Sequence, residues 1–384
     1  MNLLKKISSS SSIADSGCFT ISNFRSAQYS LIEYFMNLSV EYIAKQNKNY
    51  IKVTKVRIFE IPTYIGINHS LFTQVEVEID VVGVGQKQFV TFLIPTLINE
   101  TFFILNGIYY VPTIYIFDKP IVIKKKSIKL SSTFNSITVY DKLITFMGSN
   151  IPAMYFLDIF LSNTDPEQAK IKHDFATTFG INPITISETD LLTYFSNIFK
   201  CDPYRNEIKN HFHKIFFDDY TKILYEQCYN LKDDELTITN LLKIALQLGQ
   251  NEDEDVFIDL NQKRLVFIEV LLQPFFKRIA SIATQASRGF VINEINMDQL
   301  ELVKNFYTNL HNKFIYDNVN AFDTMLSHKT HLLSPNAENA PGNIANLHPT
   351  HYKKLCPISV SSQNPGETVY TIAEAKIDIF GQFL

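Results

Sequence analysis

The sequence predicts an α+β protein of more than one domain, and three observations carry that reading. Strand-like alternation dominates the first part of the chain and helical periodicity the later part, as in folds that segregate their strands and helices. At 384 residues the chain is long enough for two or three cores. With 46% hydrophobic and 19% charged residues it has the balance of a folded chain. Phe (31) and Tyr (19) supply the aromatic volume in the absence of Trp, and with only 12 Gly a fold rich in glycine turns is disfavoured.

Residues 1–25, with the serine run Ser8–Ser12, read as a flexible leader. Tyr29, Ile32, Phe35, Met36, Val40 and Ile43 recur at helical spacing, so Ser26–Gln46 is expected to be one long helix packing an aromatic stripe. The period then changes to two in Gln74–Val81 (QVEVEIDV), a half-buried strand. Gly83-Val84-Gly85 turns it into Lys87–Ile94; no Walker or dinucleotide spacing follows, so the glycines mark a hairpin. Asn106-Gly107 sits between the apolar runs of TFFILNGIYYV, a second hairpin. The basic cluster Lys124-Lys125-Lys126 with Lys129 reads first as a strand edge protected by lysines, and second as a nucleic-acid backbone contact. Strands are expected to about residue 147 and helices thereafter. Ser187-Glu188-Thr189-Asp190 opens one of them, its acidic residues placed at the positive helix end.

His211 and His213 are two apart, a spacing that points side chains away from each other on a helix and argues against a shared metal. The acidic run NEDED at 251–255 reads as a solvated linker and a domain boundary. Beyond Asp259–Leu265 (DLNQKRL), the spacing of Leu265, Ile268, Leu272, Phe276, Ile279 and Ala283 predicts a helix kinked at Pro274. Asp298 and Glu301 fit a capping box for a following helix.

Charge and cysteines narrow the function classes. A net charge of −4 gives no basic face of the kind a stand-alone nucleic-acid binder carries, so such contacts must be local or completed by partners. Cys18, Cys201, Cys228 and Cys356 form no CxxC pair, which fits a reducing compartment and gives no zinc signal. The leader is too weakly apolar for a signal peptide and no stretch suits a membrane span, so a cytoplasmic location without membrane partners is expected.

The most distinctive stretch is 322–372, which holds four of the nine histidines. As bare chemistry, His348 and His351 could present two metal ligands on one helical face, but no third is evident. Cys356 beside His351 suggests a thiol nucleophile, yet Pro357 follows at once and no oxyanion-hole signature accompanies it. Neither candidate is strong, and recognition accounts for the segment better than catalysis does.

Leu326-Ser327-His328-Lys329, a variable loop, and then HPTHY-x-x-LCPI at 348–358 resemble the fork region of the second-largest (beta) subunit of multisubunit RNA polymerases. The pattern there is a Ser/Thr-His-basic segment, a loop, and HPTHYGR-[IL]-CPIETPEG. Two earlier segments are similar in the same order: IPTLINETFFILNGIYYV to the protrusion's IPLMT-x-x-GTFIINGxERV, and DLNQKRL to DHLGNRRIR, where that chain returns from lobe to protrusion. The resemblance spans most of residues 50–372, with only these islands sharp. It implies a protrusion of mixed sheet and helices over 26–122 and 256–306, a helix-rich lobe over 123–255 and an irregular fork region over 307–384.

The resemblance also implies roles. His328, Lys329, Lys353, Lys354, Asn364 and Glu367 would contact nucleic acid or nucleotide, with Lys263 and Arg264 as secondary contacts. Asp317, His328 and His331 would line the pocket on the RNA side. His348, Pro349, His351, Tyr352, Cys356 and Pro357 would be the packed scaffold of the fork. Departures are equally clear: ETPEGPN becomes SVSSQNPGE at 359–367, leaving Asn364 near the family's Asn and Glu367 in place of a lost carboxylate. The chain carries no DFDGD-type loop, so no catalytic residue, metal or other cofactor is assigned to it. Mg²⁺ in the assembled enzyme would be held by the beta-prime-like subunit. Since the family's subunit runs on far beyond the fork and this sequence stops at Leu384, the expectation is a split beta subunit of the giant (jumbo) bacteriophage type. Expected partners are a C-terminal beta fragment, split beta-prime-like subunits, a promoter-specificity subunit, template DNA and nascent RNA, in the cytoplasm of the infected bacterium or in the virion. The alternative is a non-catalytic, polymerase-like protein that modulates a host or phage enzyme.

Thr330-His331-Leu332-Leu333 stands where the family reads Arg-Arg-Ile-Ser in its rifampicin pocket. The assembled enzyme is therefore expected to transcribe in the presence of rifampicin. Inhibition of RNA synthesis at low micromolar drug would refute this.

Overall fold

The structure, a computed structural model, describes residues 18–46, 51–65, 70–81, 87–98, 102–112, 114–124, 127–140, 142–146, 149–181, 186–199, 201–249, 259–272, 275–276, 330–332, 349–356, 368–370 and 375–384. It is an α+β protein of two compact units, the second inserted into the first: residues 1–117 with 257–384, and residues 118–256.

The first unit opens with helices α1 (Ile21–Tyr29) and α2 (Ile32–Gln46). The single helix expected from Ser26 onward is thus two, parted at Ser30-Leu31; there Ser30 Oγ turns back to donate to the Ala27 carbonyl (2.7 Å). Strands β1 (Ile51–Ile65), β2 (Ser70–Val81) and β3 (Lys87–Pro95) form an antiparallel meander. The alternation that predicts β2 puts Val75 and Val77 in the core while Glu76 stays half-buried. Arg57, opposite Glu76, lies between Glu76 and Glu78 at 3.6 and 3.8 Å, so this sheet's polar face mixes both signs of charge.

The Asn106-Gly107 hairpin forms as expected between β4 (Phe103–Leu105) and β5 (Ile108–Tyr110). Both turn residues adopt positive φ, 53° and 73°, the geometry that selects Asn-Gly. The backbone N–H of Asn106 donates to Ser70 Oγ (2.8 Å), tying the hairpin to the start of β2.

Strand β6 (Ile114–Asp118) leads toward the inserted unit, whose β7 (Ile121–Lys124), β8 (Ser127–Ser131), β9 (Ser136–Tyr140), β10 (Leu143–Phe146) and β11 (Ser149–Pro152) make a five-stranded antiparallel meander. Helices α3 (Ala153–Phe160), α4 (Pro166–Thr178), α5 (Glu188–Phe199), α6 (Arg205–Phe216), α7 (Asp219–Tyr229) and α8 (Ile238–Gly249) follow. The α5 start foreseen at Ser187 is built as expected, Ser187 Oγ accepting from the Asp190 N–H. Inward positions such as Ile128, Leu130, Ile137, Val139, Ile144 and Phe146 are fully buried. Phe146 meets Phe199 and Phe212 at ring centroid distances of 6.0 and 5.1 Å, so phenylalanine fills the core that tryptophan does not. Asp218 caps α7 by accepting from Tyr220 N–H, Thr221 N–H and both Thr133 and Thr221 hydroxyls. Burial nevertheless raises its pKa above the ordinary carboxylate value.

After the insertion the chain forms a one-turn 3₁₀ helix (Leu260–Gln262), then β12 (Lys263–Val266) and the short α9 (Ile268–Leu271). The helix expected from Leu265 is therefore a strand for its first residues. Pairing beside β6 and a bond from Leu265 N–H to the Gly381 carbonyl (2.7 Å) outweigh its helical periodicity. Strands β13 (Thr330–Leu332) and β14 (Thr368–Tyr370) complete a sheet ordered β12-β6-β13-β14, with β13 parallel to β6 and antiparallel to β14.

The C-terminal segment closes this unit. Phe19 and Ile377 exchange backbone bonds of 2.7 and 2.9 Å, and Gln28 Nε2 donates to the Ile379 carbonyl (2.6 Å). Gly381 has φ +86°, and a Cβ there would lie 1.9 Å from the Leu265 carbonyl oxygen. Gly381→Ala is expected to lower stability by at least ~2 kcal/mol, read as a shift of the denaturation midpoint. Gly180→Ala is the control: it shares a positive φ of +63° with open space around it, and should cost only about 1 kcal/mol.

Candidate nucleic-acid interface

The second one-turn 3₁₀ helix, Pro349–His351, carries most of the HPTHY motif. Three backbone bonds wind the following turn: Tyr352 N–H to Pro349 O (3.2 Å), and Lys354 and Leu355 N–H to His351 O (3.0 Å each). His351 and Leu355, four apart, face inward and are buried. Tyr352 projects between them and is 76% exposed. It therefore does not belong to the packed scaffold expected of it. Pro349 is likewise exposed, and Cys356 is half-buried. The inward side of the turn is scaffold, and the outward side is surface.

Lys353 follows Tyr352 with φ +60°, in the left-handed region that favours glycine. Its Nζ lies 5.5 Å from the Tyr352 ring centroid, so an exposed cation and an exposed aromatic face share one projection. Lys354 Nζ lies 5.9 Å from the Phe383 ring, which connects the turn to the C-terminal segment.

The turn is also seated on the segment that carries DLNQKRL. Thr350 Oγ1 accepts from the Leu260 N–H (3.1 Å), joining residues 90 apart in sequence. Asp259 starts that segment by accepting from the Asn261 N–H (2.8 Å). Two of the sharp sequence islands are thus neighbours in space. Lys263 is half-buried beside them.

Arg264 differs from expectation. It is 8% exposed, and its Nη1 and Nη2 donate to the two carboxylate oxygens of Glu269 at 2.8 and 2.7 Å. A guanidinium held in such a fork braces the β12–α9 turn and is not presented to a phosphate. The pairing partner five residues on was visible in the sequence; the strand-then-turn geometry that brings it back was not.

His331 lies in β13, its backbone in register with Ile114 of β6 and Val369 of β14. Asp317, His328, Lys329, His348, Pro357, Asn364 and Glu367 lie outside the described residues, as do NEDED and the capping box at Asp298. In the other unit, His213 Nε2 hydrogen-bonds the Leu236 carbonyl (3.2 Å), and burial lowers its pKa. Among the described residues, no cluster of three or more His, Cys, Asp or Glu is arranged to hold a metal, and no helix is long and apolar enough to cross a membrane.

Compared with known proteins, the chain matches no protein-family model and no curated protein.

The bond that seats the turn gives a direct test. Thr350→Val removes the acceptor for the Leu260 N–H and is expected to cost about 1 kcal/mol, whereas Thr350→Ser keeps the oxygen and should melt like the parent. Equal melting temperatures for all three proteins would show that the turn is held by other contacts.

Proposed function

We propose that this chain is the N-terminal portion of the beta-type subunit of a DNA-directed RNA polymerase of the giant-bacteriophage kind. In this reading it forms one wall of the DNA cleft and part of the pocket around the RNA 3′ end. The observation that carries the reading is the backbone of Lys353. The family pattern HPTHYGR has glycine at that position, and the chain turns through φ +60° there although lysine has replaced the glycine. A left-handed residue after a Thr-His-Tyr turn is a constraint on shape, and it is independent of the letters that suggested the family. The contact of Thr350 with Leu260 adds to it, because it brings together two segments that the pattern places far apart in sequence. So does the insertion of residues 118–256 into a first unit that resumes at Phe257, which is how a lobe interrupts a protrusion.

Nucleotidyl transfer needs Mg²⁺ ions to clamp the attacking and leaving oxygens. In this reading those ions are held by a beta-prime-like partner, and this chain shapes the site. Lys353 and Lys354 supply charge at the outward side of the turn, positioning a phosphate backbone without reading its sequence.

Two measurements test the proposal. Affinity purification of the chain from infected cells is expected to bring down the remaining beta sequence, beta-prime-like subunits and a promoter-specificity subunit. Recovery as a monomer that inhibits host transcription would favour the modulator instead. In the reconstituted enzyme, Lys353→Gly combined with Lys354→Ala removes both charges while easing the left-handed residue. It should fold at least as stably and elongate several-fold more slowly, with the deficit shrinking as salt rises, because the charges it lacks are the ones salt screens in the parent. Unchanged elongation would refute the contact.

A further inference from the structure

The link between α7 and α8 is held to the inserted unit by a titratable side chain. It leaves α7 through Asn230, whose φ of +54° ends that helix, makes a single turn at Asp233–Glu235 and enters α8 at Ile238. Glu235 braces the turn from within, its Oε2 accepting from the Lys232 N–H (2.8 Å). Leu236 is buried, and its carbonyl is hydrogen-bonded by His213 Nε2 on α6 (3.2 Å). A carbonyl only accepts, so Nε2 carries the ring proton and Nδ1 is the atom that takes an incoming one.

The half-buried ring already has a cation for a neighbour. Phe217 packs on it at a centroid distance of 4.8 Å. Lys222 of α7 pairs with Asp233 of the link at 3.4 Å, and both charges act on His213. On its own helix, Lys209 stands one turn before the ring and Lys214 follows it in sequence. The C-terminal end of α6, the Leu236 carbonyl and Asp233 favour a charged ring. Burial, and then the positive charge of Lys222, oppose it and prevail, so the His213 pKa lies below the ordinary histidine value.

We propose that His213 is a proton-operated latch on the α7–α8 link: neutral, it seats the link through Leu236, and protonated it lets the link open. The Nε2 bond itself survives protonation, since an imidazolium donates as well. What changes is the charge balance. Two cations, His213 and Lys222, then share the carboxylate of Asp233, in a site where burial already makes charge costly. Opening uncovers the ring to water, which accepts the charge that the closed site resists. The closed state is thus fully favoured above about pH 6.5, the ordinary histidine value. It loses ground as pH falls from there toward the lower pKa of the closed state. Over that window the opening constant rises by up to about tenfold per pH unit, the limit for one proton. Asp218, next to Phe217, acts oppositely: its pKa is raised, so protonating it favours the folded unit. Global melting mixes the two effects, and local opening separates them.

The test is hydrogen exchange of the link amides, residues 231–236, in the full chain across that window, corrected for the intrinsic pH dependence of exchange. Protection in the parent is expected to fall by up to about tenfold per pH unit as the pH is lowered. His213→Gln keeps a donor and does not titrate, so it should show no such fall. Lys222→Met removes the opposing cation and should move the His213 titration upward and flatten the fall. An NMR titration of the His213 ring checks the parent without any variant: a pKa at or above the ordinary value overturns the proposal. Link protection that falls equally in the parent and in His213→Gln overturns it as well. None of these readouts involves nucleic acid or polymerase subunits, so the latch stands or falls apart from the function proposed above.

Discussion

One buried amide holds the first unit together. Gln28, 2% exposed on α1, donates from Nε2 to the Ile379 carbonyl and accepts through Oε1 from the Ile268 N–H. Its partners are 351 and 240 residues away in sequence. Three backbone bonds of other origin reinforce the closure, two between Phe19 and Ile377 and one from Leu265 to Gly381. Arg25, one turn earlier, reaches the Pro112 carbonyl with Nε (2.9 Å), and burial lowers its pKa to about 10. A short helix thus satisfies backbone groups just before β6, at the start of α9 and in the C-terminal segment. Each would cost a buried, unpaired polar group if it were lost. A unit interrupted by an insertion needs such long-range ties, since chain connectivity does not bring its halves together.

The Pro349–Leu355 turn inherits its position from that arrangement. Leu260 receives Thr350, β12 follows directly from Leu260–Gln262, and α9 is anchored by Gln28. Phe383 lies under Lys354 and belongs to the segment that Gln28 and Gly381 fix. The surface carrying Tyr352 and Lys353 is therefore set by contacts on its inner side, where His351 and Leu355 are buried. Rigid support on one side and exposed charge with an aromatic on the other is an arrangement suited to a contact that must be held in one place.

What the sequence made legible follows its physical signals. Strict alternation placed β2, and Asn-Gly placed the β4–β5 turn, because both are local and strong. The run IKVTKVRIFEIPTYI of β1 alternates as well, yet it carries no flanking turn signal to announce a strand. The break between α1 and α2 has neither proline nor glycine to announce it. Leu265 and Val266 fit a helical spacing but pair in a sheet, since strand partners and the Gly381 carbonyl are non-local. In the Pro349–Leu355 turn the motif marks the segment but not the direction of its side chains. Composition cannot tell that Tyr352 points outward while His351 points inward, because a single 3₁₀ turn has no repeating period to read. The charge of Arg264 was equally misleading without sight of Glu269.

Lys353 shows what such a turn keeps and what it gives up. A non-glycine residue in the left-handed region costs about 1 kcal/mol relative to glycine. Three backbone bonds between Pro349 and Leu355 hold the turn regardless. Glycine would relieve the strain at no loss to those bonds, since none of them uses a side chain at that position. The lysine therefore gains nothing for the turn's own stability beyond its approach to an exposed tyrosine ring, a contact worth about 0.5–1 kcal/mol at such a site. That gain roughly cancels the backbone cost. A side chain that leaves folding energy almost unchanged while placing a positive charge at the tip of a buried-backed turn is best explained by what approaches from outside. Under the function proposed above, that partner is a phosphate backbone.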